Sequence, residues 1–129
     1  MPADDIRRTI RSTPDGSLPL YASSVVYGGL VVTTQIPDRL DGSIELGDIV
    51  VQTEQLIDNL ERQLTADGSD LSRLLHVTIY LTDMADRPGF NEVYIRRVPQ
   101  PVPVRCAVEV AALAIPGMRV EITVLAATS

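Results

Sequence analysis

The chain has 129 residues, 45% of them hydrophobic, and a formal net charge of −6. That length fits one domain over residues 1–129, with enough chain to bury a core without covalent staples. The acidic balance argues against a nucleic-acid partner, which requires a basic stripe, and no apolar run approaches the roughly 20 residues of a membrane span.

All eleven basic residues are arginine. A chain without lysine has no lysine Schiff base, no lysine-anchored pyridoxal phosphate and no Walker-type phosphate lysine. One histidine and one cysteine do not supply a zinc site of several His/Cys ligands. The start, MPADDIRRTIRS, lacks the apolar stretch of a secretory signal, and the single Cys106 makes no internal disulfide. The expected compartment is the cytoplasm. The chemistry that remains is that of carboxylates, arginines, backbone groups and water.

Residues 20–26 and 30–36 read as strands around Tyr27-Gly28-Gly29, a hairpin signal with glycines free to take positive φ. Residues 37–47 are rich in turn formers and read as a loop. Asp48 then opens a helix to about residue 66, where Ile49, Leu56, Ile57, Leu60 and Leu64 recur on one face and Gly68 provides the stop. Residues 74–82 alternate as a strand. Asp86 and Pro88 start a second helix to about Val98, with Phe90, Val93, Tyr94 and Arg97 on one side. Two further strands follow, 104–110 and about 119–127, joined by a turn at Pro116-Gly117. The order ββαβαββ predicts an α+β domain with two helices on one face of a mixed sheet.

Strand period places Val104, Cys106, Val108 and Val110 toward the helices and Arg105, Ala107 and Glu109 away from them. In the last strand Glu121 alternates with Val120 and Ile122. The face away from the helices is mixed polar and small, which suggests self-association over it. Arg105 and Glu121 hold matching phases of two late strands that a short connection is expected to pair. A buried guanidinium needs an anion, and its fork of donors fits a carboxylate, so Arg105 is either a substrate clamp or half of an internal salt bridge. Glu121 would orient a water or shuttle a proton in the first case and neutralise Arg105 in the second. Asn91 and Tyr94 are candidate hydrogen-bonding groups, or else a helix contact and a core tyrosine. His76 reads as a surface residue and Cys106 as an inert buried thiol. Tyr21 reaches a cleft or merely packs.

The run Pro103-Val104-Arg105-Cys106, Val108, Leu113 and Val120-Glu121-Ile122 resembles the signature of the Rid (YjgF) family of enamine/imine deaminases. GGLVVTTQIP, the 48–66 helix, VTIYLTDM and the Asn91–Tyr94 helix are similar to the family's pattern as well, so the resemblance covers nearly the whole chain. It implies a chorismate-mutase-like fold and a homotrimer with sites in the clefts between subunits. It also implies hydrolysis of reactive 2-imino acids, and their enamine tautomers, to 2-keto acids and ammonia. Arg105 would then bind the substrate carboxylate, Glu121 position the water, and Asn91 help line the site. A protonated imine is already electrophilic, so this chemistry requires no metal or cofactor; orientation and proton transfer suffice.

The chain departs from the family at several positions near the implied substrate. Ala107 stands where many members have cysteine, and Thr33-Thr34-Gln35 replaces Ser-Gly-Gln. Leu18-Pro19-Leu20 replaces Gly-Pro-Tyr, with Tyr21 displaced by one. Thr33, Thr34, Tyr21 and Ala107 are accordingly expected near the ligand. The departures admit two further readings: a deaminase of another enamine acid of the aminoacrylate or aminomuconate type, and a non-catalytic, chaperone-like or small-carboxylate-binding trimer. A ribonuclease reading conflicts with the charge and the lack of lysine.

Overall fold

The computed structural model describes residues 5–129. Strand β1 (Arg7–Thr9) pairs with β2 (Ser24–Tyr27), and β2 with β3 (Leu30–Gln35), all antiparallel. Gly28 and Gly29, at φ of 61° and 81°, make the two-residue turn of the hairpin that the sequence predicts. Helix α1 (Ile49–Ala66) follows, capped by Asp48, whose carboxylate accepts from the Val51 amide at 3.0 Å. It ends where Gly68 turns to φ 82° and the Ser69 amide donates back to the Leu64 carbonyl. Next come β4 (Leu74–Leu81), α2 (Arg87–Arg97), β5 (Val104–Glu109) and β6 (Val120–Ala127).

The six strands form one mixed sheet in the order β1-β2-β3-β6-β4-β5. β6 is antiparallel to both β3 and β4, so β3 and β4 run parallel and α1 crosses between them; α2 crosses between the parallel neighbours β4 and β5. Both helices therefore lie on one face. Leu56, Ile57, Leu60 and Leu64 of α1 and Phe90 and Val93 of α2 are fully buried there, against Val31, Val77, Ile79, Leu81, Val120, Ile122 and Val124 of the sheet. The other face carries Val32, Thr34, His76, Thr78, Tyr80, Val108, Glu121, Thr123 and Leu125, none of them buried. Among the described residues no helix is long and apolar enough to cross a membrane.

Three expectations need correction. A short strand, β1, precedes the first predicted one, and β2 begins at Ser24 rather than residue 20; β1 is wholly exposed and held by its pairing with β2 and an Arg7 contact to the Asp67 carbonyl, so it leaves no hydrophobic period to read. The late strands are not neighbours. β6 inserts between β3 and β4, where a strand with four fully buried apolar residues belongs, and β5 is left at the edge. Finally, the phase of β5 is the reverse of the predicted one. Its register sets Arg105 against Val77 and Ala107 against Ile79, on the helix side, so Val104, Cys106 and Val108 face outward. Cys106 is exposed, not a core thiol.

Candidate functional site

Arg105 projects from the edge strand onto α2. Its guanidinium donates to Asn91 Oδ1 at 2.6 Å and lies over the Tyr94 ring, 4.7 Å from the centroid, with Phe90 at 5.9 Å. Phe90 and Asn91 are neighbours on the helix and Tyr94 lies one turn further on, so this side of α2 supplies both the stacking surface and the acceptor. The amide oxygen takes one N–H, and no carboxylate pairs with Arg105 among the described residues. The internal salt bridge to Glu121 does not exist. Beside this group the Tyr94 hydroxyl is buried without a hydrogen-bond partner, and burial, opposed by the Arg105 charge, raises its pKa. Ala107, two residues along the same face, packs against the core.

Glu121 points the other way. Its neighbours Val120 and Ile122 are fully buried beneath the helices, and it stands opposite Tyr80 on the open face. There it borders a cavity of about 460 Å³ with Thr34, Gln35, Ile36, Tyr21, Ser23, Asp38, Arg11 and Ile115. Burial pushes the Glu121 carboxyl up from the ordinary glutamate value. Thr34 Oγ1 and Thr123 Oγ1 share a hydrogen bond at 2.8 Å on the adjoining row. Tyr21, 81% exposed, stands at the rim.

The expected site residues thus fall into two groups on opposite faces of one sheet: Arg105, Asn91 and Ala107 with the helices, Glu121, Thr34 and Tyr21 at the open-face cavity. The single cleft expected from paired strands is absent within one chain. Thr33 joins neither group, because it faces the core and its hydroxyl donates to the Ser23 carbonyl at 2.6 Å. His76 stays on the open face, half-buried, its Nδ1 3.5 Å from Thr78 Oγ1.

Two buried amides that sequence reasoning passed over pin loops to α1, and Asn59 does so at the cavity wall. Asn59 donates to the carbonyls of Ile36 and Asp38 and to the Asp38 carboxylate, all within 2.9 Å. Gln52 donates to the carbonyls of Gly47 and Gly117 and accepts from the Arg119 amide, fixing the turn before β6. Their signal was present: both lie on the apolar face of α1, three residues after Ile49 and Leu56, where a polar residue needs a partner. Arg11 and Asp38 were missed for lack of any local pattern. A larger cavity, about 560 Å³, lies by the end of α2, but its Arg96 and Arg97 are tied to Glu54 and Asp58.

A helix-covered mixed sheet with a cation on one face and a carboxylate cavity on the other describes an α+β domain of the YjgF type. The relatives make it specific. The model of the family described as Endoribonuclease L-PSP, the YjgF/Rid family, matches residues 14–128, and the chain belongs to that family. It is 32% identical to the chloroplastic Reactive Intermediate Deaminase A of Arabidopsis thaliana, over 96% of this chain and 68% of that one. Against the mitochondrial protein mmf2 of Schizosaccharomyces pombe it is 36% identical, over 83% and 86%. Among solved structures, RidA of an Antarctic Psychrobacter superposes with a TM-score of 0.81 at 30% identity, covering 94% of this chain and 99% of that one. Yeast Mmf1 superposes with 0.85 at 25% identity, covering 96% and 99%. Relatives named for mitochondria and chloroplasts stand side by side here, so membership assigns no compartment.

Proposed function

We propose that the protein hydrolyses a reactive 2-imino carboxylic acid, or its enamine tautomer, to the 2-keto acid and ammonia, at sites that two copies complete together. The observation that carries this is Arg105: a guanidinium stacked and hydrogen-bonded into one orientation, yet lacking an anion among the described residues. Such a group is pre-organised for a carboxylate from outside the chain. Glu121 cannot serve that carboxylate within the same chain, because it lies on the opposite sheet face. A second copy seated on the open face would bring its Arg105 edge to the Glu121 cavity. The exposed Leu18, Leu20, Tyr21, Val104 and Val108 are apolar surface that such an assembly, a homotrimer in this reading, would cover.

In this site Arg105 of one copy holds the substrate carboxylate while the iminium carbon faces Glu121 of the other. Water adds to that carbon as its proton passes to the Glu121 carboxylate, giving a carbinolamine. Glu121 returns the proton to nitrogen and, as the C–N bond breaks, its carboxylate takes the hydroxyl proton, so that ammonia leaves and the neutral carbonyl forms. A glutamate held above its usual pKa is suited to these transfers. Every group in the scheme is a side chain of the protein, and no metal or cofactor takes part. RNA cleavage, which the family's description names, is not the reading these groups favour: the net charge is −6 and the only histidine has no carboxylate partner among the described residues.

The test is the decay of an imino acid generated in situ by an amino-acid oxidase. Purified protein should accelerate it, and Arg105→Ala should lose about 10- to 100-fold in kcat/KM, the value of a charge-assisted hydrogen-bonded pair. Unchanged decay with intact Arg105-dependent binding of keto acids would move the protein to the non-catalytic carboxylate-binding reading.

A further inference from the structure

The cavity beside Glu121 contains a cation that hydrolysis of a simple imino acid leaves unused. Arg11 lines it, and its side chain is 64% exposed. Its one ion pair among the described residues is with Asp38, at 3.8 Å, the outer limit of such a contact. Asp38 in turn is fixed. Its backbone carbonyl and its carboxylate both accept from Asn59, which is buried in α1. Arg11 is therefore held near the cavity by an anchored but distant counterion, with its fork of donors largely unfilled.

In the reading above, Arg105 of a second copy meets the carboxylate next to the imine carbon. A second guanidinium at the same cavity then needs its own anion. The volume allows one, since about 460 Å³ lies within the range of pockets that enclose ligands far larger than a three- or four-carbon acid. The charge balance decides which kind. Glu121 and Asp38 both border the space, and two carboxylates disfavour a doubly charged phosphate more than a singly charged carboxylate.

We propose that Arg11 is a specificity-determining residue that binds a second carboxylate, so that the preferred ligands are dicarboxylic 2-imino and 2-keto acids. This rests on the cavity being the imino-acid site, but it is a statement about binding and its test does not need turnover. Calorimetry with 2-ketoglutarate and 2-ketobutanoate compares a diacid with a monoacid of the same reactive end. The wild-type protein should bind the diacid about tenfold more tightly, the value of one additional charge-assisted contact at a partly exposed position. Arg11→Gln should collapse that ratio toward one. An exposed side chain with one loose contact can be exchanged without unfolding the chain. Equal affinities in the wild type, tighter binding of the monoacid, a diacid preference that survives in Arg11→Gln, or no binding of either acid would each overturn the proposal. Binding with the expected ratio but without imine turnover would leave it standing and remove the deaminase reading instead.

Discussion

β5 and β6 both alternate apolar residues with charged or small ones, with Arg105 and Glu109 in the first and Glu121 in the second, and they behave differently. β6 is central, hydrogen-bonded on both sides, and its alternation is obeyed: Val120, Ile122, Val124 and Ala126 are buried and Glu121 faces out. β5 is an edge, and its alternation is inverted: the valines and the cysteine face out and the arginine turns in. Apolar content sets the phase of a strand only where the neighbouring layer offers space to bury it. Above β5, the rings of Phe90 and Tyr94 and the Asn91 amide occupy that layer. They suit a cation with a long aliphatic stem better than a valine. The positions then left outside are free to meet another molecule.

The largest consequence is for stability. Ile122→Ala opens a cavity in the centre of the core and should cost about 2–5 kcal/mol, whereas Val108→Ala, on the outer side of β5, should stay within about 1 kcal/mol in protein dilute enough to be unassembled. Urea midpoints at equal m-values measure both. Similar losses for the two would mean that β5 is buried as deeply as β6. The next effect is on activity. If Arg105 and Glu121 serve one site from different copies, Arg105→Ala and Glu121→Gln each lose most of their activity, but unfolding, mixing and refolding them together makes hybrid sites with both native groups. Random mixing in equal parts into closed rings of three should restore about a quarter of wild-type activity. No recovery would place both residues in a site of one chain, against their positions on opposite faces of the sheet.

The elements legible in the sequence were those with a long hydrophobic period or a turn signal: α1 with its Asp48 cap, the Gly28-Gly29 hairpin, β4, and the Phe90–Tyr94 face of α2. Arg105, Glu121, Asn91 and Tyr21 were candidates from charge, strand phase and helix spacing, and the family pattern added Thr34; such signals record identities but not directions. Strand order was not. The connection from Val110 to Arg119 is long enough to reach either side of β4, and only the competition for the central place decides, which requires all six strands at once. The pairing of Arg105 with Glu121 failed for that reason. Thr33 and Thr34 could not be told apart either, since one residue of register separates a core hydroxyl bonded to Ser23 from a cavity wall. Arg11 meets Asp38 across the whole β2–β3 hairpin, a contact that no local pattern announces.

The smallest effect is the one most sensitive to how the two strands meet. Glu121 has a folded-state pKa raised by burial. Its contribution to stability is therefore complete below the unfolded glutamate range, about 4.3, and is lost as pH rises through the higher folded value. Glutamine is neutral throughout, so Glu121→Gln should match the parent near pH 4 and melt at a higher temperature at pH 7 in dilute protein. Concentration then sharpens the comparison. If assembly brings Arg105 of a second copy to the cavity, the ionised carboxylate gains a cation, and the parent recovers what burial cost it. The advantage of the variant should then shrink, or reverse, as protein concentration rises at pH 7, while the values near pH 4 stay together. An advantage that does not depend on concentration would show that Glu121 meets no cation in the assembled protein, and the edge strand would have to present Arg105 elsewhere.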